Sequence, residues 1–131
     1  MQSLTGACSC GAVKFQVSGS ARSVVNCHCN LCRKMNGSAF STYVAVAEDD
    51  FEVVSGGLKT HQCSGHAKKS FCAACGTPIF NSSPKHAGLV ILYFGTLDDA
   101  LQFEPAVNIF CESKLNWVDN LAEMPSLPQG F

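Results

Sequence analysis

Apolar and polar residues alternate with a period of two along much of the chain. Val13, Phe15 and Val17 alternate with Lys14, Gln16 and Ser18, the pattern of a strand with one buried face. Ser23 to Cys27 is a short β-branched run. Phe40, Thr42, Val44 and Val46 mark a further strand, with Tyr43 on its other face. Phe51 to Val54 leads into Gly56-Gly57, a turn signal, and then Leu58 to Cys63 predicts another strand. Lys69 to Cys72 and Pro78 to Phe80 flank a cysteine knuckle. Leu89 to Phe94 is apolar on both faces and so predicts a central strand. Val107 to Cys111 reads as the last strand, and Asn116 to Leu121 as a helical turn. Beyond it, Pro125 and Pro128 bar regular structure in the tail. Short strands at frequent turns, with no alternation of strand and helix, predict a mainly β fold.

The chain has 131 residues, which suits one domain spanning 1–131 with a core of its own. At 47% hydrophobic and 15% charged it is globular in composition. The formal net charge of −1, with no basic cluster, gives no electrostatic case for nucleic acid or an anionic membrane as partner. Residues 1–6 carry neither a basic nor an apolar leader pattern. The run from Leu89 to Phe94 is far short of the ~20 residues of a membrane span. A cytoplasmic protein is expected.

Nine cysteines change that picture. An odd number cannot pair fully within one chain, and cytosolic thiols stay reduced, so clusters there read as metal ligands or catalytic groups. Cys72-Ala73-Ala74-Cys75-Gly76 is a C-x-x-C-G knuckle, in which glycine can take positive φ and let the loop curl around a metal. Cys8-Ser9-Cys10-Gly11 is C-x-C-G; in an extended strand both sulfurs would lie on one side. Together Cys8, Cys10, Cys72 and Cys75 supply four thiolates, a closed structural zinc site; redox-active or inert thiols are the alternative. Cys27, Cys29 and Cys32 form a third cluster with no obvious fourth ligand. Three protein ligands and one open position characterise catalytic zinc, whereas completion by His61, His66, Cys63 or Cys111 would make it structural. An extended backbone points His28 away from its neighbours' sulfurs. Arg33 is a candidate for holding a substrate carboxylate or balancing thiolate charge, and Lys34 reads as solvated. Cys63 and Cys111 read as inert thiols buried in strands. Tyr43 and Trp117 suit core or pocket wall, and His86 an exposed loop.

Three motifs in order carry a family resemblance. Gly6-x-Cys8-x-Cys10-Gly11-x-Val13-x-Phe15, Cys27-His28-Cys29-x-x-Cys32-Arg33 and Phe71-Cys72-x-x-Cys75-Gly76 resemble the glutathione-dependent formaldehyde-activating enzyme family, also called the centromere protein V family. Asn36-Gly37-Ser38-Ala39-Phe40 and Ser113-Lys114-x-x-Trp117 are similar to it too. The likeness runs over about residues 4 to 120. It implies an Mss-type fold of small antiparallel sheets stapled by zinc, similar to that of methionine-R-sulfoxide reductases. It implies two zinc ions per chain: a structural one on Cys8, Cys10, Cys72 and Cys75, and a catalytic, more labile one on Cys27, Cys29 and Cys32. It implies a carbon–sulfur lyase joining glutathione to formaldehyde.

The residues by themselves favour thiol chemistry over hydrolysis at the open site. Three thiolates over-neutralise a dication, which leaves a poor activator of water but one that still holds an incoming thiol as thiolate. The expected activity is therefore addition of a small thiol to a small carbonyl compound, with Arg33 assisting. The rivals are a non-catalytic zinc module for a protein partner, a methionine sulfoxide reductase using Cys111, and a nucleic-acid-binding zinc ribbon.

Overall fold

The structure is a computed structural model, and residues 3–130 are described. Ten strands form two sheets. The smaller joins β1 (Leu4–Ala7), β2 (Lys14–Val17) and β5 (Phe51–Ser55) in the order β1-β2-β5. The larger adds β3 (Ser23–Cys27), β4 (Ser41–Ala47), β6 (Leu58–Gln62), β7 (Lys68–Cys72), β8 (Pro78–Ser82), β9 (Leu89–Tyr93) and β10 (Val107–Ile109). Its order is β10-β3-β4-β9-β8-β7-β6. The mainly β expectation holds, and β9 is central as its two apolar faces predict. One pair departs from the antiparallel rule: β10 runs parallel to β3, with Ile109 opposite Cys27.

Period-two alternation decides what each sheet face meets. Phe15 and Val17 of β2 are buried, and they join Val44, Val46, Val90 and Leu92 from the large sheet in one core between the sheets. Phe51 links the layers, with its ring 5.7 Å from that of Phe15 and 5.1 Å from that of Phe80. Burying a side chain such as Phe15 is worth about 1.5–3 kcal/mol. The opposite face of the large sheet carries Val25, Cys27, Tyr43, Ile91, Asn81 and Lys69, which the strand registers align across five strands. This second face is the floor of the candidate site.

Several elements differ from the sequence expectation. β1 escaped it because glycine interrupts the strand and Leu4 is its one large apolar side chain. Helix α1 (Asn30–Asn36) escaped it because none of its residues is fully buried, so no apolar stripe betrays it. It is set by its ends. The Cys29 sulfur caps the N-terminus, and Gly37, at φ 63°, ends the helix in the left-handed region. The last strand stops at Ile109, because Phe110 takes φ 57° and turns the chain into a 3₁₀ turn at Cys111–Ser113. Cys111 is therefore exposed and outside any strand, and Cys63 is half-buried just beyond β6. The buried-strand reading of both thiols is corrected accordingly. Asn116–Glu123 forms 3₁₀ turns, as the helical reading of that segment anticipates. The tail after it has no regular structure up to Gly130.

Candidate metal centres and the cavity beside them

Cys8 and Cys10 lie in the turn between β1 and β2, closed by the Gly11 N–H donating 3.1 Å to the Cys8 carbonyl. The strand geometry expected for this C-x-C is thus replaced by a turn. Gly11 sits at φ 82° and Gly76 at φ 81°, so each cluster uses the glycine after its second cysteine to curl. The Gly76 N–H donates to the Cys72 carbonyl at 2.9 Å, and the Thr77 carbonyl accepts from the Cys72 N–H at 2.9 Å. The sulfurs of Cys8, Cys10, Cys72 and Cys75 all lie within 4.8 Å of one another. Cys8 and Cys10 sulfurs are 3.6 Å apart, and Cys10 and Cys72 sulfurs 3.9 Å.

Backbone N–H groups point at these sulfurs. Val13 donates to Cys8 Sγ at 3.2 Å, and Ala74 and Cys75 donate to Cys72 Sγ at 3.4 Å each. Such donors favour thiolate over thiol. The Val13 N–H lowers the Cys8 thiol pKa, and the Thr77 hydroxyl and backbone bring that of Cys75 down to about 5. Against the Ala12 backbone bond, contacts with Cys8 and Cys75 push the Cys10 thiol up to about 11, so the thiols of the group differ; the group can hold a metal ion.

The second group is built where β3 runs into α1. Cys27 ends β3, Cys29 caps α1, and Cys32 lies in its first turn, so a strand-to-helix corner gathers three sulfurs within 4.8 Å. Cys27 and Cys32 sulfurs are 3.6 Å apart, and Cys29 Sγ accepts from the Cys32 N–H at 3.2 Å. Contact between Cys27 and Cys32 pulls the first thiol down and pushes the second up, and burial adds to the rise at Cys32. Among the described residues no fourth His, Cys, Asp or Glu joins this group. His61, His66, Cys63 and Cys111 are not part of it, although His66 lines the same cavity. His28 is buried, with Nε2 3.2 Å from Asn108 Oδ1 and its ring 5.0 Å from that of Phe40.

A polar network backs the three sulfurs. The Tyr43 hydroxyl donates to Cys32 Sγ at 3.1 Å and accepts from Asn36 Nδ2 at 3.1 Å. Asn36 Oδ1 accepts from Lys69 Nζ at 2.8 Å and from the Tyr93 hydroxyl at 3.2 Å. Lys69 Nζ also reaches the Met35 carbonyl at 3.0 Å, satisfying an orphan acceptor at the end of α1. Burial lowers the Lys69 pKa, and no carboxylate pairs with it: the sole ion pair among the described residues is Lys114 with Asp119. Burial pushes the Tyr43 hydroxyl pKa well above its usual value, so at neutral pH it keeps its proton and remains a donor. Sequence reasoning assigned no site role to Asn36, Lys69 or Asn81. Their signal was the period-two register that puts Lys69 and Asn81 on the same sheet face as Cys27.

The three-cysteine group opens into a cavity of about 370 Å³. Its floor is Val25, Tyr43, Ala45 and Ile91; Ile109 and Phe110 wall one side, and Ser64, His66, Ser83, Lys85 and His86 come from two loops. Arg33 does not line it. Its guanidinium lies 3.5 Å from Asn30 Oδ1, with Nε buried and without a hydrogen-bond partner. Trp117 is exposed and lies away from the cavity.

The family model described as glutathione-dependent formaldehyde-activating enzyme matches residues 3–113. A protein of Halomonas elongata, named "Putative glutathione-dependent formaldehyde-activating enzyme", is 29% identical over 88% of this chain and 80% of its own length. The crystal structure of a Rhodobacter sphaeroides protein shares the fold, with a TM-score of 0.62 at 21% identity over 79% of this chain and 98% of that one.

Proposed function

We propose, from the premise that this chain belongs to the glutathione-dependent formaldehyde-activating enzyme family, that it adds a small thiol reversibly to formaldehyde or a related small carbonyl compound. The observation that carries this reading is the three-cysteine group, without a fourth protein ligand, facing a largely apolar cavity. Glutathione is the first candidate thiol, and the activity is that of a carbon–sulfur lyase.

Zinc fits both cysteine groups. A tetrahedral site with Zn–S bonds of about 2.3 Å has sulfur–sulfur edges of about 3.8 Å. The separations of 3.6 and 3.9 Å among Cys8, Cys10 and Cys72, and 3.6 Å between Cys27 and Cys32, match that edge. Cys8, Cys10, Cys72 and Cys75 would hold a structural ion, and Cys27, Cys29 and Cys32 a catalytic one. When bound at the open group, zinc supplies a site that keeps a coordinating thiol deprotonated at neutral pH.

The protein's own residues set up the rest. The Tyr43 hydroxyl, donating to Cys32 Sγ, spreads the excess negative charge of three thiolates toward Asn36 and Lys69. Arg33, next to Cys32 in α1 and outside the cavity, serves charge balance rather than substrate binding. Val25, Ile91 and Ile109 exclude water around the reacting carbon and hold the carbonyl compound beside the thiol, a proximity contribution. In the addition, a C–S bond forms to the carbonyl carbon and the C=O π bond breaks. The proton given up by the thiol ends on the new hydroxyl oxygen. Among the described residues no helix is long and apolar enough to cross a membrane, and the reading needs no membrane or nucleic-acid partner.

The test is exchange kinetics between formaldehyde, glutathione and their adduct. The zinc-loaded protein should exceed the buffer rate, and a Cys27→Ser variant should not. Equal rates for native protein and buffer, with two zinc ions bound per chain, would reject the assignment. A non-catalytic zinc module would then be favoured.

A further inference from the structure

We propose that Phe110 is a substrate-binding residue, held in a left-handed backbone so that its ring covers the sulfur-bearing end of the thiol at the three-cysteine group. The proposal rests on the thiol-addition reading for what occupies the cavity; its evidence is the backbone beside it.

Wherever else the backbone takes positive φ among the described residues, the residue is glycine: Gly11, Gly37, Gly56, Gly76 and Gly88. Phe110 breaks that usage, at φ 57° and ψ 42°. This region crowds any Cβ, and a bulky side chain rarely takes it. Nothing in the protein alone offsets the strain. The ring stays 58% exposed, and the 3₁₀ turn that follows has no side-chain cap. The turn's backbone bond, from the Ser113 N–H to the Phe110 carbonyl at 3.2 Å, would serve a glycine equally well.

The strain changes where the ring goes. In an extended strand, successive side chains point to opposite faces. Ile109 ends β10 opposite Cys27, and its carbonyl accepts from the His28 N–H at 3.0 Å. Its side chain lines the cavity, so an extended residue after it would face away. The left-handed turn breaks the alternation, and Ile109 and Phe110 line the same cavity. Pairing with Cys27 and His28 fixes this turn at the cysteine end. Strain held at a residue that gains nothing from it in the free protein points to function. An arriving thiol would cover the exposed ring, and sulfur–aromatic contacts are favourable. The amides of a peptide thiol such as glutathione are left to polar loop residues of the same cavity, Ser64 and Ser83 among them.

Two variants separate strain from contact. Phe110→Gly and Phe110→Ala both delete the ring, and only alanine keeps the left-handed penalty. Phe110→Gly should melt a few degrees above Phe110→Ala, the reverse of the usual order of these residues. In the zinc-loaded protein both should weaken glutathione binding roughly tenfold, as expected when burial of about half a phenylalanine side chain is lost. In exchange kinetics that loss should fall on KM. Contact is read directly with Phe110→Trp in a Trp117→Phe background, which carries a single indole. Its emission should shift to the blue as glutathione is added. The proposal is overturned if both deletions bind glutathione as the native protein does, or if the emission is unmoved at saturating glutathione. Phe110→Gly melting no higher than Phe110→Ala overturns it as well. Ring-dependent glutathione binding in a protein that exchanges no faster than buffer would reject the proposed reaction and keep the binding role. Exchange faster than buffer, with KM unchanged in both deletions, would keep the reaction and remove Phe110 from it.

Discussion

Substituting alanine for Gly6 should cost more than any exposed-surface change, and the reason lies in one cross-strand pair. Gly6 of β1 faces Phe15 of β2 and bridges to Leu97 on its other side. A Cβ at this position would lie 2.6 Å from Phe15 Cε2 and 2.6 Å from the Thr96 carbonyl oxygen. Carbon contacts are ordinarily ~3.5–4.0 Å, so about 1 Å must be found on the Thr96 side and more on the Phe15 side, where Cζ is nearer still. Neither side yields easily. Phe15 is 2% exposed and its ring packs on Phe51, while the Thr96 oxygen is backbone. Overpacking costs about 1–3 kcal/mol, and with both neighbours fixed the upper end, about 3 kcal/mol, is expected. For a chain of this length that corresponds to a fall of roughly 10 °C in Tm. The assay is thermal and urea unfolding of the metal-saturated protein, with m unchanged if the denatured state is the same. Adding Phe15→Leu should recover at least about 1 kcal/mol of the Gly6→Ala cost, because the smaller side chain makes room for the methyl. A Gly6→Ala variant melting within about 2 °C of the native protein refutes the packing argument. So does an equal cost in the Phe15→Leu background.

Three further outcomes are expected. Cys72→Ser, at a buried position in the four-cysteine group, should lower Tm by roughly 10 °C or more. Cys29→Ser should cost about 1 kcal/mol or less, since serine caps α1 equally well, yet abolish activity; the reverse ordering would dissolve the division of labour between the groups. On acidification the three-cysteine group should release metal at a higher pH than the four-cysteine group, with release followed by a chromophoric chelator. Protons compete for thiolates, so metal-linked stability is present at neutral pH and falls as pH falls; three protein ligands hold the ion less firmly than four, so the three-cysteine group gives way first. A shared midpoint would count against this order. Lys69→Met should lower Tm by a few degrees (about 1 kcal/mol for an unsatisfied helix end) and slow alkylation of the metal-free three-cysteine group at pH 7, because it removes the nearby positive charge. Unchanged alkylation would confine Lys69 to capping.

What the sequence disclosed and what it hid divide along physical lines. Strands with one buried face, such as Val13 to Val17, announce themselves by alternation, and the cysteine clusters announce themselves by spacing. Structure governed by contacts remote in sequence does not. β1 exists because β2 pairs with it and Phe15 covers its glycine, and neither fact is local. α1 exists because a sulfur caps one end and Gly37 and Lys69 finish the other. The end of β10 hangs on a single residue, Phe110, in a left-handed conformation that a bulky side chain rarely adopts, so the strand pattern overran to Cys111. The cavity was illegible for the same reason: His66, Lys85, His86 and the cysteines come from three separate segments that only the sheet register aligns.

The four-cysteine group joins parts of the chain that are synthesised at different times. Cys10 and Cys72 are 62 residues apart, whereas Cys27 and Cys32 are five apart. At ~5–20 residues per second, the first pair of ligands waits several seconds on the ribosome for the second. The local trio emerges complete within that interval and can seize a metal first. Bringing the distant halves together then costs about 4 kcal/mol of chain entropy beyond a constant. With zinc at both groups, as proposed, loading would run opposite to ligand number: the three-cysteine group could fill early, and the four-cysteine group would close only once Cys75, just past β7, has been made.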